Sequence, residues 1–266
     1  MSPRALIGSL VCVVAACNES PFGSFKNPPG TSDVIGKFVP ADSPYCYDTS
    51  ALGIQQPVGI GNGATYFYFA DAASSARKLF ALAVPSRGML QVAASRMLSS
   101  TPADVAVADG FCPYVASDTS IDPVSFTDST YGSCSSSDPP YPLAHSLITF
   151  DLGDLLRAGK SDLLLERYVP AAPLTHQESV MLSVTPERIT VFEPTSKLLI
   201  AYKTGSGWEM LAYDRRPFRL RGRVQFPWPS YRELVGLSGP YDPGDQHLYA
   251  LSDHQEFCVY SYVPGG

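Results

Sequence analysis

The chain has 266 residues, of which 45% are hydrophobic, 17% charged and 11% aromatic, enough apolar material for one large domain or two small ones and too much for wholesale disorder. Its formal charge is −6, and the first sixteen residues contribute only Arg4, so without them 18 basic face 25 acidic side chains, a net of −7; a generic nucleic-acid binder carries the opposite sign, and no nucleic-acid partner is expected. The 21 Gly and 24 Pro are scattered, while Tyr and Phe cluster in short runs with Val and Leu, which favours strands and turns over helices.

The first element is an address. Arg4 precedes an apolar run from Ala5 to Ala16, and twelve residues are too few for a transmembrane helix, which needs about 20. A short basic start, a short apolar stretch and small residues before a break describe a secretory signal. Its end, Val14-Ala15-Ala16-Cys17, resembles the lipobox of bacterial lipoproteins. The resemblance implies a signal peptide over 1–16, lipid attachment at Cys17 and a membrane partner reached through that lipid. Asn18 in place of an aspartate implies an outer-membrane destination. The alternative is an ordinary signal cut nearby, with Cys17 left as a free thiol. Residues 17–44 contain Pro21, Gly23, Pro28, Pro29, Gly30, Pro40 and Pro44 without periodicity and read as a flexible tether, so the folded domain is expected over 45–266. Asn18-Glu19-Ser20 matches a glycosylation acceptor, a coincidence beside a bacterial anchor.

Cys12 leaves with the signal and Cys17 takes the lipid, which leaves Cys46, Cys112, Cys134 and Cys258. An even number in an oxidising compartment suggests two disulfides, and four cysteines allow three pairings. The preferred one joins Cys46 to Cys258, tying the start of the domain to its end, and Cys112 to Cys134, closing a loop rich in Ser, Asp and Pro. No CxxC pair supports a zinc or thioredoxin-like site.

Three hairpins follow from pairs of apolar runs around short turns: Tyr66–Asp71 with Leu79–Val84, Leu198–Tyr202 with Trp208–Tyr213, and Leu248–Leu251 with Phe257–Val263. Pro57 and Pro102, each opening a strand, lie 45 positions apart. The strand-closing alanines Ala70 and Ala116 differ by 46 and Ala201 and Ala250 by 49; the gap of 85 between Ala116 and Ala201 accommodates one degraded unit. A repeat of about 40–50 residues built from short strands indicates propeller blades. The succession of proline, Val-Gly-Ile or Val-Ala-Val, a glycine turn and then Tyr-Phe-Ala-Asp or Tyr-Val-Ala-Ser resembles the YVTN/NHL type of β-propeller repeat. The expected fold is therefore all-β, a propeller of about five blades, with a β-sandwich as the alternative. Propeller closure usually takes an N-terminal strand into the last blade, where a Cys46–Cys258 bond would act as a clasp. Within the degraded unit, Leu147–Phe150 reads as a strand and Asp151–Gly159 as a short helix stopped by Gly159.

Few residues announce chemistry. Gly59-Ile60-Gly61-Asn62-Gly63 precedes an aromatic strand instead of a helix, so it reads as a turn rather than a phosphate loop. No GxSxG elbow, HExxH pair or Walker lysine loop occurs, and neither a catalytic set, a metal site nor a cofactor is expected. His145, His176, His247 and His254 read as loop residues. Asp242-Pro243-Gly244-Asp245 reads as a tight turn, and Asp71, Asp118, Asp151, Asp214 and Asp253 as carboxylates satisfying turns at strand ends. Arg215, Arg216, Arg219, Arg221 and Arg223 place five basic residues within nine positions. On a strand, Arg219, Arg221 and Arg223 share a face, a candidate site for an anionic envelope glycan or an acidic protein, with Trp228 and Tyr231 to stack on sugars. The plain alternative is a charged edge strand. The functional expectation is a non-catalytic binding or scaffold lipoprotein on the cell envelope, against a propeller hydrolase or lyase acting on envelope polymers or small esters, or a purely structural lipoprotein.

Overall fold

A computed structural model describes residues 33–41, 45–73, 77–83, 90–135, 140–171 and 173–265. The signal, Cys17 and most of the expected tether lie outside these residues. In chain order, strands β1 (Val34–Pro40) and β2 (Cys46–Asp48) precede the first blade. That blade is β3 (Pro57–Asn62), β4 (Phe67–Asp71), β5 (Lys78–Ala83) and β6 (Gln91–Met97). The second is β7 (Pro102–Ala108), β8 (Cys112–Ser117) and β9 (Ile121–Pro123). Next come β10 (Ser146–Asp151), β11 (Asp154–Gly159), β12 (Leu164–Val169) and β13 (Thr175–Met181). The fourth blade is β14 (Arg188–Phe192), β15 (Lys197–Thr204), β16 (Gly207–Arg215) and β17 (Phe218–Gln225). The fifth is β18 (Leu234–Ser238), β19 (His247–Ser252) and β20 (Glu256–Pro264).

The inner strands β3, β7, β10, β14 and β18 each pack against the next, and β18 returns to β3, closing a five-bladed propeller. The inner part of each blade is therefore covered on both faces, and alternate residues of one strand serve two different cores, whereas the outer strands β6 and β13 are largely exposed. On β4, Phe67 and Phe69 join Leu251 and Phe257 of the fifth blade, whereas Tyr68 and Ala70 join Val105 and Val115 of the second. This explains why all five residues of that strand are buried. At Gly59 (φ +71°) a Cβ would lie 2.5 Å from the Val105 amide nitrogen, so only glycine lets the first two inner strands approach this closely.

The ring is closed by the chain start. β1 pairs antiparallel with β20 and parallel with β17, joining the fifth blade to the fourth. This corrects the expected domain boundary, because Val34–Pro40 belongs to the folded ring and not to a tether: Phe38 is buried between Phe192, Phe226 and Tyr262. β2 pairs with β20 at Cys46 and Cys258, which form one disulfide; Cys112 and Cys134 form the other. The second bond holds the long loop that follows the short strand β9. Two disulfides fit an oxidising, extracytoplasmic compartment. Among the described residues no helix is long and apolar enough to cross a membrane.

The three expected hairpins are present, and the expected helix is not. Asp151–Gly159 is a strand hairpin, β10 paired with β11 around Leu152 (φ +47°) and Gly153 (φ +85°). Leu155 and Leu156 are good helix formers by propensity, yet they point to opposite faces, into the cores shared with the second and fourth blades. Burial on both sides overrides the local preference.

Candidate functional site

Because the five inner strands run parallel around the axis, their C-terminal ends and the loops leaving them converge at one end of the ring. There they enclose a cavity of about 700 Å³. Its wall is apolar where the strands supply it, as at Ile60, Val105, Ile148 and Val191, and its mouth is formed by Asp109, Glu193 and the loop Gly239–Pro243. A second cavity of about 220 Å³ shares Asn62, Ala64, Tyr241 and Asp242 with the first, so the two are contiguous between the first and fifth blades.

The polar side chains of the wall also hold the blades together. Ser238 Oγ accepts from the Asn62 amide (3.1 Å) and donates to the Gly239 carbonyl (3.2 Å). Asn62 Nδ2 donates to that same carbonyl (3.3 Å). Thr190 Oγ1 accepts from the Gly239 amide (2.6 Å) and donates to the Val191 carbonyl (3.2 Å). At the mouth, the Ala64 amide donates to the Gly110 carbonyl (2.8 Å), and the ring of Tyr241 covers Gly110. Glu193 accepts from Arg215 (2.8 Å), which also pairs with the buried Asp151 (2.5 Å). Asp242 accepts from the Gly244 amide (2.8 Å), so Asp242-Pro243-Gly244-Asp245 is a turn that lies on the cavity mouth. Asp109 is exposed and has no ion pair or side-chain hydrogen bond among the described residues. In the smaller cavity, Asp245 accepts from the Tyr249 hydroxyl (2.5 Å) and lies against His247 Nδ1 (2.5 Å); burial and this carboxylate push the Tyr249 hydroxyl pKa up.

Near the opposite ends of the inner strands, Asp104 on β7 accepts from the Ile148 amide of the next blade (2.9 Å). Burial pushes its carboxyl up to about 6, against the attraction of Arg188. Arg188 is itself buried, which lowers its pKa.

The arginine row lies elsewhere. Arg219, Arg221 and Arg223 are on β17, the fourth strand of its blade, and none of them lines either of these two cavities. This strand is not an open edge, because β1 pairs along part of it. Arg221 is paired with Asp214 and Arg223 with Glu209 (3.1 Å). Arg215 and Arg216 brace Asp151, and Arg216 also reaches Asp154 (3.1 Å). Trp228 cannot stack on a sugar: it is buried, stacked against Phe226 (5.8 Å), with Nε1 donating to the Arg232 carbonyl. Tyr231 is exposed, with the Arg232 guanidinium over its ring (5.4 Å).

The strand-end carboxylates divide by task. Asp71 accepts from the amides of Gln55, Gln56 and Ala73, and Asp253 from that of Glu233, as turn residues do. Asp151 and Asp214 hold cations, and Asp118 faces His145 (3.5 Å). Two histidines sit on strands instead of loops: His176 within β13, edge-on to Tyr168, and His247 at the start of β19. Gly59–Asn62 belongs to β3 and has no helix after it to receive a phosphate. Among the described residues no group of three or more His, Cys, Asp or Glu is placed to hold a metal ion.

Asp109, Glu193 and Tyr241 were not legible as site residues. Each follows an inner strand by a few positions, which becomes meaningful only when the blade register is known.

No family model matches the chain, and no curated protein matches it. Among solved structures it resembles Myxococcus xanthus glutaminyl cyclase at a TM-score of 0.63 and 12% identity, over 88% of this chain and 100% of that one. A protein of unknown function from Desulfotomaculum acetoxidans matches at a TM-score of 0.47 and 13% identity, over 73% of this chain and 62% of that one. BBS1N, solved in complex with ARL6DN, matches at 0.45 and 15%, over 77% and 61%. The first of these likenesses supports the propeller fold, and at such identity it speaks of fold alone.

Proposed function

We propose that this chain is a non-catalytic binding propeller, tethered to the bacterial envelope through a lipidated Cys17, with its ligand seat in the axial cavity. The observation that carries the reading is the cavity itself, about 700 Å³ at the convergent ends of five inner strands, a size suited to a small molecule or one end of a chain. Its lining includes no His, Cys, Lys or Arg among the described residues, and the Ser238 and Thr190 hydroxyls donate to backbone carbonyls instead of to a base. The propeller repeat resemblance fits a module of this kind. The arginine row is the poorer seat for an anionic glycan or acidic protein, since Arg221 and Arg223 already face carboxylates.

The test is retention of the soluble domain on purified envelope material. Ala64→Trp, at the exposed mouth, should abolish retention by filling the cavity, and Arg219→Gln should not. The reverse result would move the seat to the arginine row. Intact mass of the mature protein from membranes should show a chain beginning at an acylated Cys17 with two disulfides; an unprocessed chain would refute the anchor.

A second reading, catalysis in the same cavity, takes its example from the glutaminyl cyclase whose fold this chain resembles. Release of ammonia from a peptide with an amino-terminal glutamine would support it. A hydrolase or lyase acting on envelope polymers would instead show product release from those polymers.

A further inference from the structure

The axial cavity has a chemical bias that its shape does not reveal. The hydroxyls of Thr190 and Ser238 and the amide of Asn62 all donate to backbone carbonyls of the wall itself. Both hydroxyl hydrogens and one of the two Asn62 side-chain N–H hydrogens are thus committed. The charged side chains lining the two contiguous cavities are all carboxylates: Asp109, Glu193, Asp242 and Asp245. Glu193 and Asp245 already have partners in Arg215 and in Tyr249 with His247. Asp109 and Asp242 have no cation among the described residues. Between the cavities stands Tyr241, 47% exposed, whose ring can meet a cation face-on.

Resting on the reading of this cavity as a ligand seat, we infer that it takes a primary ammonium carried on a short neutral or apolar stem, the ammonium lying between Asp109, Asp242 and Tyr241. An ammonium brings a positive charge and three donors, which match the carboxylates of the mouth. A carboxylate or phosphate ligand would meet like charge and find no free cation, an arrangement that rejects it. The stem would lie along the apolar strand segments at Ile60, Val105 and Val191. A free amine and an amine borne by an envelope peptide offer the same group, and they differ in what trails out of the mouth.

Titration calorimetry separates the possibilities. Butylamine and a short peptide carrying one lysine are the two ammonium probes; butyrate and the same peptide acetylated on lysine and amino terminus are the controls. The expected result is binding of one or both ammonium probes and of neither control. Binding should weaken by about tenfold or more in the double variant Asp109→Asn, Asp242→Asn and weaken with added salt. Butylamine binding alone would indicate a free amine, and peptide binding alone a borne one. Both substitutions suit the fold, since asparagine tolerates the φ of +50° at Asp109 and keeps an acceptor for the Gly244 amide. An unchanged melting temperature confirms that the variant folds; should it fall, salt dependence of the wild type decides instead. Absence of binding by either amine, equal binding of butyrate, or affinity indifferent to salt or to the two substitutions would overturn the inference. If Ala64→Trp still abolishes envelope retention while neither amine binds, the cavity stands as the seat and only the ligand class falls.

Discussion

The clasp that closes the ring should be the most consequential covalent feature of the fold. Cys46 and Cys258 are 212 positions apart, whereas Cys112 and Cys134 are 22 apart. In the chain-entropy description, a cross-link restricts the unfolded chain more as its loop lengthens, which gives about 5 kcal/mol for the first bond and about 3 kcal/mol for the second. For a domain of this size the first figure corresponds to a melting temperature lower by roughly 10–20 °C. The native side adds to the difference. The three-residue strand β2 is held to β20 by few other contacts, among them Val259 N to Tyr45 O (2.7 Å) and Thr49 N to Gln255 O (2.7 Å). Thermal and urea unfolding of Cys46→Ala/Cys258→Ala, beside Cys112→Ala/Cys134→Ala, measures both losses. Reduction of the wild type provides a control free of substitution. In the first variant the Val259 amide should also exchange with solvent faster than the amides of β15, because the strand covering it is no longer tied down. Equal losses in the two variants, or a larger loss from the short loop, would refute the reasoning.

Three further outcomes are expected. Gly59→Ala should cost about 2 kcal/mol or more in urea unfolding, since it combines a left-handed backbone with a Cβ 2.5 Å from the Val105 nitrogen. Asp104 holds its proton up to about pH 6 in the fold but only to about 3.9 when unfolded; the native state therefore binds the extra proton between these values. Stability from this group should decline by on the order of 3 kcal/mol as pH rises through that window and level off above it, and Asp104→Asn, which retains an acceptor for the Ile148 amide, should flatten the slope in pH-dependent denaturation. Asp214, whose pKa is depressed by Arg221 first of all, acts in the opposite sense, its stabilisation present at neutral pH and lost as pH falls through its lowered folded value. Arg221→Glu with Arg223→Glu should lower stability in the same assay, because each new carboxylate faces an existing one at Asp214 or Glu209; Arg219→Gln, which adds no carboxylate opposite Asp214, should change it little.

The sequence carried the architecture because propeller blades repeat the same burial problem. Tyr66–Asp71, Leu198–Tyr202 and Leu248–Leu251 are buried on both faces, so they appear as continuous apolar runs bounded by turns, and their spacing survives divergence. The pairing of Cys46 with Cys258 was legible for the same reason, since a ring must join its ends. Two stretches escaped. Leu155, Leu156 and Ala158 favour a helix locally and become a strand only through cores on both sides. Val34–Pro40 sits among prolines and glycines, and its role depends on β17 and β20, nearly the whole chain away. Trp228 was misplaced on the surface because an aromatic near an arginine run reads as a recognition pair, while its partners Phe226 and Tyr260 are visible only in three dimensions.

The site was harder to read than the fold because a propeller builds both its turns and its binding face from the same residue types. A carboxylate after an inner strand can cap the turn or face the axis, and composition does not distinguish the two. Hydrogen bonding does. Asp71 accepts three backbone amides and is fully occupied by its turn; Asp242 accepts one, and Asp109 has no such bond among the described residues. A carboxylate that the backbone does not need contributes little to folding, so substitution of Asp109, which follows β7 and lines the cavity, tests ligand binding with little cost to the fold. The arginines obey the same logic with the opposite result. Charges that looked available in the sequence are matched by Asp151, Glu193, Asp214 and Glu209 across neighbouring strands, so most of the conspicuous basic cluster serves the blades, whereas Asp109 and Asp242 at the mouth face no such cation among the described residues.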